Sequence, residues 1–75
     1  MNKKRRQKLH IALTELENVG NILGDVCDEE NDALSNMPEN LENSDRYMDM
    51  ETNIECLYDA MSGINDAIES IEKIV

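Results

Sequence analysis

The sequence predicts an all-α fold, an antiparallel helical hairpin that dimerises into a four-helix bundle. Apolar residues recur every three or four positions in both halves, which indicates amphipathic helices. The only proline, Pro38, interrupts this pattern near the middle of the chain. Aromatic residues make up only 3% of the chain, whereas strands favour aromatic and β-branched residues. With 75 residues, the chain forms at most one small domain.

The second half carries the more regular apolar pattern. Alternating steps of three and four residues from Tyr47 to Val75 stop only at apolar side chains. The stops are Tyr47, Met50, Ile54, Leu57, Met61, Ile64, Ile68, Ile71 and Val75. They form the a and d positions of a heptad seam. Ser44 precedes this segment and is a predicted N-cap.

The first half repeats the seam. Its a and d positions are Leu9, Leu13, Leu16, Gly20, Leu23, Cys27, Glu30, Leu34 and Met37. Because a proline disfavours helical geometry in the residue before it, helix 1 should end just before Pro38. The predicted hairpin has helix 1 over about residues 4–36, a turn over 37–44 and helix 2 over about 45–75. The short link favours antiparallel helices, in which facing residue numbers add to about 80.

A second apolar stripe runs beside each seam, at the g positions. These positions hold Ala12, Val19, Val26 and Ala33 in helix 1, and Asn53, Ala60, Ala67 and Ile74 in helix 2. A stripe of about three residues in seven suits a helix with two neighbours. A chain this small also buries little surface by itself. We therefore expect a homodimer, although a hairpin completed by another protein fits the same pattern. The predicted core and dimer residues are Leu16, Val19, Leu23, Val26, Ile54, Leu57, Ala60, Met61, Ile64, Ala67, Ile68 and Ile71.

Two features depart from this apolar pattern. Glu30 occupies a seam position, and Arg46 is the only basic residue between Lys8 and Lys73. With facing numbers near 80, Glu30 would lie close to Met50, one turn from Arg46. The two charged residues could then form an ion pair that sets the register, or Glu30 could simply be solvated where the helices diverge. Gly20 is also on the seam and is expected to receive a bulky side chain such as that of Met61.

The candidate partner-binding residues lie off the seams. The apolar candidates are Ile11, Ile22, Met48 and Tyr58, and the acidic candidates are Asp28, Glu29 and Asp32. Scattered apolar side chains are also ordinary on protein surfaces, so a surface without a partner remains an alternative.

Charge is the main functional indication. Residues 9–75 contain all 17 acids with only Arg46 and Lys73, a formal net charge of −15. The hairpin therefore carries one net charge per ~3 Å of its length, and a side-by-side dimer would carry one per ~1.5 Å. Duplex DNA carries one charge per ~1.7 Å. The surface could therefore imitate nucleic acid, although most acidic proteins are only soluble. The basic start, Lys3 to Lys8, is expected beside Glu69 and Glu72, and nucleic-acid binding by it is disfavoured by the acidic remainder.

Several other classes of function are not expected. The chain lacks a run of 18 apolar residues and an apolar signal core, so a cytoplasmic protein is predicted. Cys27 and Cys56 are expected as free thiols, since no export signal accompanies them. His10 is the only histidine, and no spacing suggests a metal, a cofactor or a catalytic site.

The central turn carries a resemblance that spans most of the chain. Its residues are Asp28-Glu29-Glu30, Ala33, Met37-Pro38-Glu39, Leu41, Ser44-Asp45-Arg46 and Met50-Glu51. In their order they resemble small acidic proteins encoded by phages and prophages of Gram-positive bacteria, with Met37 replacing a leucine and Tyr47 replacing a glycine. The resemblance implies a virus-linked cytoplasmic protein but transfers no activity.

Two functions are therefore expected. The first is an interaction protein that blocks a host defence or nucleic-acid-binding protein by presenting an acidic surface to a basic one. The second is an assembly module that self-associates or completes a partner's helical bundle. Rising salt should weaken the first kind of binding and spare the second.

Overall fold

The computed structural model describes residues 1–41 and 44–75 and shows two packed helices. Helix α1 spans Lys3–Ser35 and helix α2 spans Asp45–Glu72, with a short 3₁₀ helix, Glu39–Leu41, between them. No strand occurs in the described ranges. The predicted all-α helical hairpin is confirmed. Helix α2 ends three residues earlier than the predicted end at 75.

Both helices begin at a side-chain cap. The Ser44 hydroxyl accepts a hydrogen bond from the Tyr47 backbone N–H at 3.2 Å, which confirms the predicted N-cap of α2. It also donates to the Leu41 carbonyl at 2.6 Å and so links the 3₁₀ helix to α2. At the start of α1, the Asn2 side chain accepts from the Arg5 N–H at 2.9 Å. These caps satisfy backbone donors that a helix leaves unpaired at its N-terminus.

The register of the hairpin differs from the prediction by about one helical turn. A Cβ on Gly20 would lie 3.7 Å from Cγ2 of Ile64, and one on Gly24 would lie 3.9 Å from Cε of Met61. Facing residue numbers therefore add to 84 or 85, and the predicted value of about 80 is wrong. By this register, helix α2 begins about one turn past the end of α1. Gly20 does receive a bulky side chain, but it is that of Ile64.

This register leaves the start of α1 beyond the end of helix α2. Since Ile64 is level with Gly20, the last helical residue of α2, Glu72, is level with about residue 12 of α1. The segment Lys3–Lys8 therefore projects roughly 6–14 Å past the end of helix α2. It does not lie beside Glu69 and Glu72, as predicted. The molecule is 60 Å long, more than the ~50 Å of a 33-residue helix, as this offset requires.

The hairpin closes around very little core. Among the described residues only Cys27 and Ile54 are buried, with 3% and 6% of their surface exposed. The other predicted core residues fall into two groups. Half-buried between the helices are Leu16, Leu23, Leu57, Met61, Ile64, Ala67, Ile68 and Ile71. Val19, Val26 and Ala60 are exposed in the single chain, so their proposed dimer role stays a prediction.

Substitution of Gly20 by alanine is expected to stabilise the hairpin by about 0.5–1 kcal/mol. The backbone of Gly20 is helical, and the added Cβ meets Ile64 at an ordinary van der Waals distance of 3.7 Å. Alanine therefore gains helix propensity without a clash. Urea unfolding followed by circular dichroism measures the change. A lower unfolding midpoint in Gly20→Ala would show that the helices pack closer at this point than the structure indicates.

Candidate functional site

The acidic residues form a solvent-facing surface on both helices. Every acidic residue in the described ranges is exposed except Glu30, which is half-buried. Asp25, Asp28 and Asp32 are three and four residues apart, so they share one face of α1. Asp28, Glu29 and Asp32, the acidic partner-binding candidates, are all exposed. Their carboxylates are accessible to a basic partner.

The charge is concentrated toward one end of the molecule. We call residues 25–59 the turn half, since Gly24 and Met61 face each other at its boundary. The turn half contains 12 acids and one basic residue, Arg46, for a formal charge of −11. The open half, residues 1–24 and 60–75, contains five acids and six basic residues, for a charge of +1. The turn half thus accounts for the whole net charge of −10.

The four apolar partner-binding candidates are exposed but do not form one patch. Ile11, Ile22, Met48 and Tyr58 each expose more than half of their surface. Ile11 and Ile22 are 11 residues apart on α1, about 16 Å along the helix. Met48 and Tyr58 are separated by a similar distance on α2. The structure therefore favours separate contacts over a single apolar patch built from these four.

Glu30 and Arg46 lie in different surroundings. Glu30 is half-buried and lines a groove with Asn53 and Leu57, instead of facing Met50 as the predicted register required. Arg46 is exposed in the first turn of α2. In the described ranges no hydrogen bond joins the two side chains. Their ion pair stays a prediction, without the register argument that first supported it.

The g positions of the two helices lie on the same side of the hairpin. We call this side the open face, formed by Ala12, Val19, Val26 and Ala33 of α1 with Asn53, Ala60, Ala67 and Ile74 of α2. A groove of about 380 Å³ crosses it, lined by Val26, Glu30, Asn53, Cys56 and Leu57. Val19, Val26 and Ile74 expose 41%, 39% and 49% of their surface. The open face is an apolar surface with no covering element in the described chain.

The opposite side of the hairpin is polar and has its own connection between the helices. The Asn31 amide donates to the Tyr58 hydroxyl at 3.3 Å and to the Cys27 carbonyl at 3.0 Å. It also lies 3.5 Å from the Cys27 sulfur. This link was not predicted from the sequence, although Asn31 and Tyr58 both occupy e positions, which meet across an antiparallel seam. Tyr58 therefore has a structural contact as well as an exposed ring.

Membrane spans and metal sites are two further kinds of feature to consider in the described residues. Neither α1 nor α2 is long and apolar enough to cross a membrane. In residues 1–41 and 44–75, no cluster of three His, Cys, Asp or Glu side chains is arranged to hold a metal ion. Both thiols are free; Cys27 is buried and Cys56 is exposed on α2.

The chain was compared with known proteins. No family model matches it, and no curated protein or solved structure is similar to it.

Proposed function

We propose that this chain is a protein-interaction module whose acidic turn half binds the basic surface of a nucleic-acid-binding protein and blocks it. The observation that carries the proposal is the charge of −11 on residues 25–59. This half occupies about 26 Å of the hairpin, so it carries about one net charge per 2.4 Å. Duplex DNA carries about one per 1.7 Å, a comparable linear density.

Exposure of the carboxylates supports this function. A surface that competes with nucleic acid must present its charges to solvent, where a basic groove can reach them. The acids of α1 and α2 meet this requirement, since only Glu30 among those described is half-buried. The resemblance to phage and prophage proteins directs the search for the target to a bacterial host.

Affinity capture from bacterial lysate at low salt tests the proposal. The bait is the full chain, compared with the triple variant Asp28→Asn, Glu29→Gln and Asp32→Asn. Three surface charges at ~0.5–1 kcal/mol each correspond to about 10–100-fold weaker binding. The captured protein should be released as salt rises, and the full chain should displace duplex DNA from it.

A matched variant removes the same number of charges from the open half: Asp66→Asn, Glu69→Gln and Glu72→Gln. It should retain the captured protein, because its turn half is unchanged. A protein bound equally by all three baits, or one that stays bound in 0.5 M salt, would contradict recognition through the turn half.

The open face supports a second candidate function, completion of a helical bundle. Only Cys27 and Ile54 are buried among the described residues, and the apolar open face is uncovered. A partner seated on that face would be held by apolar burial, which salt does not weaken. Capture that persists in high salt and is lost when Val26 is replaced by aspartate would favour this alternative.

A further inference from the structure

The open face and the uneven charge together restrict how two copies of the chain could pack. Two hairpins can stack their open faces with the turns at the same end or with the turns at opposite ends. Both arrangements cover the same apolar side chains, including Val19, Val26 and Ala60. Apolar burial therefore does not choose between them, and the charge distribution does.

We propose that the open face binds the open face of a second copy, with the two turns at opposite ends of an antiparallel four-helix bundle. Packed helices have axes about 8–10 Å apart, close to the Debye length of about 10 Å in 0.1 M salt. With the turns together, two halves of charge −11 each would therefore repel, because screening over one Debye length is incomplete. With the turns apart, each turn half faces a half of charge +1.

The projecting start of α1 supports this orientation. Within one hairpin, Lys3–Lys8 extend past the end of helix α2 and face no helical residue of it. In the opposite-end dimer this segment of each copy reaches the acidic turn end of the other. Its five basic residues then lie beside opposite charges. The dimer does not rest on the proposed function, although this segment pairs with acids of the same turn half.

The orientation is tested by a spin-label distance across the dimer. The labelled chain carries Asn40→Cys in the 3₁₀ helix and Cys56→Ser. Cys27 is only 3% exposed, so we expect it to stay unlabelled in the folded protein. With the turns at opposite ends of a 60 Å molecule, we expect a label separation of about 50 Å. With the turns together it would be within roughly 20 Å. The short distance overturns the proposal.

The surface is tested by light scattering on two aspartate variants. Wild type is expected at twice the chain mass of 8.6 kDa. Val26→Asp places a charge on the open face and should shift the mass to that of one chain. Met48→Asp adds the same charge to an exposed apolar site of the turn half and should remain dimeric. Circular dichroism reports whether each variant keeps its helices.

Three results would overturn the proposal. They are a wild-type monomer at 200 μM, a Val26→Asp variant that remains fully dimeric, and a Met48→Asp variant that dissociates as readily as Val26→Asp. Loss of helix together with loss of the dimer in Val26→Asp still supports it, because Val26 is exposed in the single hairpin. None of these results depends on finding the target of the turn half.

Discussion

Replacement of Ile54 by alanine is expected to lower the free energy of unfolding by about 2–4 kcal/mol. Ile54 and Cys27 are the only buried residues in the described ranges, and Ile54 exposes only 6% of its surface. Deleting its methyl and methylene groups removes apolar burial and leaves a cavity. In a chain that closes around so little core, this loss should abolish much of the helical signal at 37 °C. Urea unfolding monitored by circular dichroism measures it.

Ile11→Ala provides the matched control. Ile11 is also in a helix, but 61% of its surface is exposed, so its truncation should change stability by at most about 0.5 kcal/mol. Equal losses in Ile54→Ala and Ile11→Ala would show that packing between the helices does not determine stability.

Addition of sodium chloride is expected to stabilise the protein, most strongly at low ionic strength. The turn half brings 12 carboxylates onto about 26 Å of hairpin with one basic residue among them. Between 0.01 M and 0.2 M salt the Debye length falls from about 30 Å to less than 10 Å, which screens this repulsion. We expect the free energy of unfolding to rise by about 1–3 kcal/mol over this range.

Thermal unfolding at a series of salt concentrations measures this effect. The variant Asp28→Asn, Glu29→Gln and Asp32→Asn should be more stable at low salt and less sensitive to added salt. A midpoint that falls as salt is added would mean that attraction between opposite charges, instead of repulsion within the turn half, dominates the electrostatics.

The helices could be predicted from the sequence because they depend on local pattern. The three-four spacing from Tyr47 to Val75 indicates α2, and Ser44 marks its start with a side chain suited to capping. Pro38 places the interruption correctly. Each of these signals acts over a few residues, so a neighbouring helix is not needed to interpret it.

The register could not be predicted in the same way. It depends on where α2 begins relative to the end of α1, which the local pattern does not specify. Because the observed register differs from the predicted one by about one turn, Glu30 lines a groove with Asn53 and Leu57 instead of facing Met50. For the same reason, the basic start of α1 extends past the end of helix α2. The acidic surface was unaffected by this difference, because exposure of outer positions does not depend on register.

The unequal charge of the two halves gives a single hairpin a large permanent electric dipole moment along its 60 Å axis, which two copies with their turns at opposite ends would cancel. The electric field of a basic protein exerts a torque on this dipole moment and turns the acidic end of the hairpin toward that protein before contact. Such steering raises the fraction of collisions that are productive and weakens as ionic strength rises. A single chain would arrive with residue 1 pointing away from its target, whereas the opposite-end dimer would present an acidic turn at either end.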